Sequence, residues 1–210
     1  MRLSCGLKQD GVVVGNAYDK YGSRNPVVRR IMRGFEDALS GLFVKAAPSS
    51  VHEIGCGEGY WVLRWNRSGI AARGADFSSE AIRLARLNAA EQGVSADLFE
   101  VRSIYELEAQ RDGADLLVCL EVLEHLERPD EALRALQRVV RNHLIVSVPR
   151  EPVWRLLNLA RGKYVADLGN TPGHVQHWSA RAFTQLLARY FQLVEVRTPL
   201  PWTMALCRPR

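Results

Sequence analysis

The stretch CLEVLEHLERPDEAL, residues 119–133, closes an apolar run and then sets Glu121, Glu124 and His125 at positions i, i+3 and i+4. If the chain turns helically there, side chains three and four apart share a face, so two carboxylates and an imidazole can converge on one point. Such a group can bind a metal, handle a proton, or cap a helix. The elements around it must decide.

A second chemistry-bearing stretch is VHEIGCGEGYW, an apolar strand that ends in Gly55-Cys56-Gly57-Glu58-Gly59 before a helix opening at Tyr60. Glycines there let the backbone approach a ligand and turn tightly into a helix N-terminus. Alone, the loop is equally a plain strand-to-helix turn. Nineteen residues after Gly57, GADFSSEAI puts Asp76 at the end of a second strand. A carboxylate in that place can accept hydrogen bonds from both hydroxyls of a ribose, which favours a nucleoside ligand over a simple helix cap. The dinucleotide fingerprint wants Gly or Ala where this chain has the bulky Tyr60, and that argues against NAD.

The elements that must position these residues follow an α/β rhythm of short apolar runs alternating with amphipathic stretches. Strands are expected at 50–55, 69–76, 96–102, 114–120 and 143–149, with helices at 60–67, 79–92 and 129–140 between them. Crossovers of that kind build a parallel, doubly wound sheet. NPVVRRIMRGFEDALSGLF, with Pro26 in its first turn, reads as a helix ahead of the sheet. After a helix capped by Ser179, the strands FQLVEVRT and WTMALCR are joined only by PLP, which permits an antiparallel hairpin and no crossover helix.

At 210 residues, 47% hydrophobic and 24% charged, the chain suits one globular domain. The net charge of +5 would suit an anionic partner, but no basic run is present, which argues against nucleic acid. Cys5, Cys56, Cys119 and Cys207 form no CxxC pair, so a reducing, cytoplasmic setting is expected. No signal-peptide core and no apolar run long enough to span a bilayer is legible.

These motifs together resemble the class I S-adenosylmethionine-dependent methyltransferases, in the small-molecule branch that includes ubiquinone-biosynthesis O-methyltransferases. EIGCGEGYW is similar to that family's first motif, ADFSSEAI to its second-strand acid and ADLLVCLEVLEHLERPDEAL to its fourth-strand motif, over roughly residues 45–210. The resemblance implies an α/β, Rossmann-like, seven-stranded, mostly parallel sheet with helices on both faces and a reversed last strand. It divides the chain into a lid or helical segment at 1–44 and a cofactor-binding domain at 45–210.

It also implies S-adenosylmethionine as donor, S-adenosylhomocysteine as product and a small-molecule acceptor, most naturally at oxygen. Glu53, Gly55, Cys56, Gly57 and Gly59 would lie by the methionyl end, Asp76 on the ribose and Phe77 beside the adenine. Ser103 and Ile104 stand where the family often has an Asp near the adenine. Cys119 and Leu120 would line the pocket, and Tyr18 and Tyr21 would belong to the lid.

Methyl transfer from a sulfonium needs alignment and one base, and His125 is where that base would sit, with His174 as a second catalytic candidate. Glu121, Glu124 and His125 also resemble a metal-binding EVxEH pattern, for which His174 or His177 could complete the ligands. A divalent metal is possible on that pattern but is not the expectation. The rivals are a metal-assisted RNA 2′-O-methyltransferase and a non-catalytic cofactor-binding assembly protein. Residues 150–170 carry Trp154, Leu157 and Ala160 at helical spacing. They would cap the acceptor pocket, pack as core, form an oligomer contact or touch a membrane surface.

Overall fold

The computed structural model describes residues 1–4, 6, 8–9, 12–13, 15 and 20–210. Seven strands form one sheet: β1 Ser50–Ile54, β2 Ala71–Asp76, β3 Phe99–Val101, β4 Ala114–Leu120, β5 Val140–Pro149, β6 Phe191–Arg197 and β7 Trp202–Pro209. Their order across the sheet is β3-β2-β1-β4-β5-β7-β6. The first five run parallel, and β7 lies antiparallel between β5 and β6, the reversed strand that the short PLP link requires. Lys8–Gln9 and Val12–Val13 make a separate two-residue ladder.

Among the described residues seven helices accompany the sheet: α1 Pro26–Ala46, α2 Tyr60–Arg67, α3 Ser79–Glu91, α4 Ala109–Asp112, α5 Pro129–Val139, α6 Val153–Ala160 and α7 Ala180–Leu187. α1, α2 and α3 bury their apolar stripes on one face, and α5 and α7 on the other. The central strands are covered on both sides, so they read as unbroken apolar runs. Leu116 to Cys119 are fully buried, and each such leucine contributes roughly 1.5–3 kcal/mol of burial.

α1 starts where Asn25 Oδ1 accepts from Val27 N at 2.9 Å, with Pro26 preset for the first turn. Its Phe35 meets the Trp202 ring edge-on at 4.8 Å, so this helix belongs to the sheet's own core. The third strand is shorter than its sequence suggests. Ser95 Oγ accepts from Asp97 N, and this winds Ala96–Leu98 into a single 3-10 turn before Phe99.

β1 sits between β2 on one side and β4 on the other, and the connections leave it in opposite directions. That switch point opens a crevice beyond the carboxyl ends of the parallel strands, the place where open α/β sheets bind ligands.

Candidate functional site

A cavity of about 570 Å³ fills this crevice. Its first wall is the glycine loop. Gly55 holds φ +79, and an added Cβ would stand 2.3 Å from a Val122 methyl, so only glycine lets the loop pass. Gly59 caps α2 at φ +83, where a Cβ would come within 2.7 Å of the Phe99 ring; it serves the turn into α2 and does not line the cavity.

Asp76 clamps this loop to β2. Its Oδ2 accepts from Gly57 N and its Oδ1 from Ser78 N, both at 2.9 Å. Burial pushes its carboxyl up, and these two N–H groups pull it back down. Each oxygen keeps a second lone pair, and the residue lines the cavity, so a diol can still be accepted. Phe77 follows, 40% exposed and lining the cavity, so its ring offers a flat apolar surface for stacking.

The cavity floor is acidic. Glu53 is buried, with Oε2 unpartnered among the described residues, and its carboxyl is held well above the usual range first by desolvation and then by Asp76. Glu121 sits at φ +58, a left-handed backbone that a non-glycine residue adopts only when its surroundings force it. The force is visible: Oε1 accepts from Ser147 Oγ at 2.9 Å and Oε2 from Trp202 Nε1 at 2.5 Å. Burial raises its carboxyl to about 7, against the pull of Lys20 and these two donors.

Leu123–His125 is one 3-10 turn, so the sequence triad splits. Glu121 is drawn toward β5 and β7. Glu124 turns inward with neither carboxylate oxygen partnered among the described residues, and burial and then Glu121 raise its carboxyl well above the usual range. His125 faces the cavity, with Nδ1 2.9 Å from the Gly173 carbonyl. That contact makes Nδ1 the protonated nitrogen and leaves Nε2 as an acceptor. Burial lowers its pKa, keeping the ring neutral.

His174 packs edge-on behind His125, with ring centroids 4.9 Å apart, and does not reach the cavity wall. Desolvation, His125 and His177 lower its pKa to about 3. Glu124, His125 and His174 nonetheless offer ligand atoms within 4.8 Å of one another. His177 lies apart, exposed and bonded to Asn170 at 2.7 Å. Backbone pairs from Val175 N and Gln176 N to the Glu124 carbonyl fix the segment that carries these histidines.

Most expected cofactor positions line this one cavity: Glu53, Gly55, Cys56, Gly57, Asp76, Phe77, Ser103, Ile104, Leu120 and Tyr21. Tyr21 stacks on Tyr60 at 3.6 Å and accepts from Trp61 Nε1 at 3.0 Å. Cys119 is a correction. It is fully buried in the opposite core, because successive strand residues point to opposite faces and Leu120 takes the cavity side. Tyr18 lies outside the described residues. Lys20, Tyr105 and Arg128 were not foreseen. Arg128 lies over the Tyr105 ring at 4.8 Å to form the far rim, a pairing across 23 residues that no local pattern announces.

A family profile described as a methyltransferase domain matches residues 27–196. Ubiquinone biosynthesis O-methyltransferase of Cupriavidus pinatubonensis is 33% identical over 116 residues, covering 54% of this chain and 45% of that protein. The protein of that name from Aeromonas salmonicida is 31% identical over 135 residues, covering 63% of this chain and 55% of its own length. The chain thus spans about half the length of the curated relatives it matches. Magnesium protoporphyrin IX methyltransferase from Synechocystis PCC 6803, with bound SAH, has a TM-score of 0.67 at 19% identity over 90% of each chain. The [4+2]-cyclase SpnF has a TM-score of 0.65 at 17% identity, over 91% of this chain and 85% of its own. These structural likenesses show the fold, and a cyclase among them shows that the fold alone does not set the reaction.

Proposed function

The chain belongs to the methyltransferase domain family, and from that premise we propose that it is an S-adenosylmethionine-dependent methyltransferase acting on a small-molecule acceptor at oxygen. One observation carries the reading: a single cavity brings Asp76 and the glycine loop, whose chemistry suits a nucleoside, together with the imidazole of His125. The residues fit the donor on their own chemistry. Asp76 keeps lone pairs for a ribose, Phe77 offers a face to an adenine, and Glu53 has a buried oxygen in need of a cation or donor.

When bound, the donor supplies a methyl group already activated by a positively charged sulfur, so the protein's task is alignment and charge. Glu53 and Glu121 form a floor whose raised pKa values are relieved by a cation and restored when the sulfur becomes neutral after transfer. His125 Nε2 accepts the proton that an acceptor hydroxyl loses as its oxygen takes the methyl group. The choice of oxygen is supported by the relatives named as O-methyltransferases. A labelled-methyl screen against metabolite and RNA pools tests the reading. Label in a small hydroxylated product supports it, and label in RNA alone replaces it.

A metal-assisted form of the reaction is favoured by one feature. The unpartnered Glu124 oxygens lie with the His125 and His174 nitrogens at ligand spacing, a donor set that suits Mg, Mn or Zn. Those three residues would hold the ion, which would lower the pKa of a bound hydroxyl. Glu121, held by Ser147 and Trp202, would stand outside that set.

A further inference from the structure

Among the described residues, nine buried side-chain N or O atoms have no hydrogen-bond partner, and three of them belong to one cluster: His52 Nε2, Arg102 Nε and Asp112 Oδ1. His52 and Asp112 are fully buried, and neither lines the cavity. Native interiors rarely leave such atoms bare unless a water or an ion completes them.

The sheet sets the cluster's place. His52 stands two residues before Ile54 on β1 and shares its face, the one covered by α5 and α7. On the neighbouring β2, Arg73 lies opposite His52, and Ala75 lies opposite Glu100 of β3. Arg73 is engaged elsewhere, with Nη2 donating to the Arg111 carbonyl at 2.7 Å and to the Gly113 carbonyl at 3.3 Å. Asp112 arrives from the end of α4. His52, Glu100 and Asp112 thereby offer ligand atoms within 4.8 Å of one another.

Hydrogen bonds prepare each of the three. His52 Nδ1 lies 2.8 Å from the Asp112 carbonyl and so carries the proton, which leaves the Nε2 lone pair free. Metal-binding imidazoles are oriented in this way, through the nitrogen that does not touch the ion. Asp112 Oδ2 accepts from Glu108 N at 2.7 Å, and Oδ1 is left over. Glu100 gives Oε2 to Arg111, which leaves Oε1 for the cluster. Arg102 does not complete these atoms. Its Nε stands 3.7 Å from Asp112 Oδ1 and 3.8 Å from Glu100 Oε1, beyond hydrogen-bond reach, and its Nη1 is drawn to the Glu106 carbonyl at 3.0 Å.

We propose that His52 Nε2, Glu100 Oε1 and Asp112 Oδ1 bind one zinc ion, a structural clamp that joins β1, β3 and α4. One imidazole with two carboxylates is a donor set that zinc accepts. Tetrahedral zinc holds such atoms about 3.4 Å apart, so these need to close by about 1.4 Å at most. A water bridging His52 and Asp112 would leave the buried carboxylate with no cation in contact, whereas zinc supplies one. Glu100 is half-buried, so the fourth position opens toward solvent on its side. The clamp shares no residue with Glu124, His125 and His174, and it does not depend on the methyl-transfer reading.

Equilibrium dialysis against Zn²⁺ with metal analysis tests the proposal, in a chain carrying Glu124→Gln and His174→Ala so that the other donor set is disabled. That chain should retain one zinc, and zinc should raise its Tm. Adding His52→Gln should abolish retention. Because His52 is buried, Glu100→Ala at its half-buried position is the second variant, with a melt in the absence of zinc as the folding control. It should weaken zinc by more than the roughly 100-fold that losing an outer hydrogen-bond partner costs. Arg102→Gln removes the competing charge and should tighten it. No zinc retained, zinc held equally after Glu100→Ala, or zinc weakened by Arg102→Gln would overturn the proposal.

Discussion

Asp76→Ala should separate two roles of one carboxylate. In the structure it accepts from Gly57 N and Ser78 N at 2.9 Å each, so its loss strands two donors. Gly57 lines the cavity, where water can take over, but Ser78 is fully buried. One buried donor left unsatisfied costs about 1–3 kcal/mol, which for a chain of this size lowers Tm by roughly 2–10 °C. Relief of the desolvation that raises the Asp76 pKa offsets part of that loss. Ligand affinity should fall much further. Two ribose hydroxyls bound to an ionised acceptor are worth about 1.5–3 kcal/mol each, so S-adenosylhomocysteine should bind roughly 10²- to 10⁴-fold more weakly. Asp76→Asn keeps an acceptor for Ser78 N and should fall between wild type and Ala in both respects. Calorimetry below the variant's melting range, paired with a thermal melt, measures both quantities. A lowered Tm with unchanged S-adenosylhomocysteine affinity would refute the ribose role and leave Asp76 a loop clamp.

His125→Gln should slow single-turnover methylation by about 10²- to 10⁴-fold while S-adenosylhomocysteine affinity stays within a few fold; normal turnover would remove it as the base. A sulfonium favours ionised Glu121, whose carboxyl stands at about 7 in the free protein. S-adenosylmethionine binding therefore releases a proton, so its affinity should rise from pH 6 to 8 and level off above, whereas the uncharged sulfur of S-adenosylhomocysteine should give a flatter curve. Parallel curves for the two ligands would contradict that charge role. Activity is expected to survive EDTA. Loss restored by one of Mg, Mn or Zn, and no longer restored in Glu124→Gln or His174→Ala, would establish the metal-assisted form.

The glycine loop, Asp76 and the places of the strands along the chain were legible because each is a local signal: a turn that only glycine allows, an acid at a strand end, apolar runs of strand length. The facing of Cys119 was not, because a strand buried on both faces gives no alternation from which to tell its two sides. Nor could the fate of Glu121 be read. Its partner Trp202 arrives from β7, whose register sets it opposite Pro149, and the positive φ that separates Glu121 from Glu124 follows from that distant contact. The place of His174 depends on two backbone bonds from Val175 and Gln176 to Glu124, across a stretch with Pro172 and Gly173 whose path no periodicity fixes.

The central claim, that the crevice between β1, β2 and β4 takes an adenosyl donor, is tested most directly by titrating the unmodified chain with S-adenosylhomocysteine and, separately, with NADH in a calorimeter. One saturable site for S-adenosylhomocysteine and no heat from NADH is the predicted result. Saturable NADH binding, or no binding of S-adenosylhomocysteine by a chain that melts cooperatively, would contradict it.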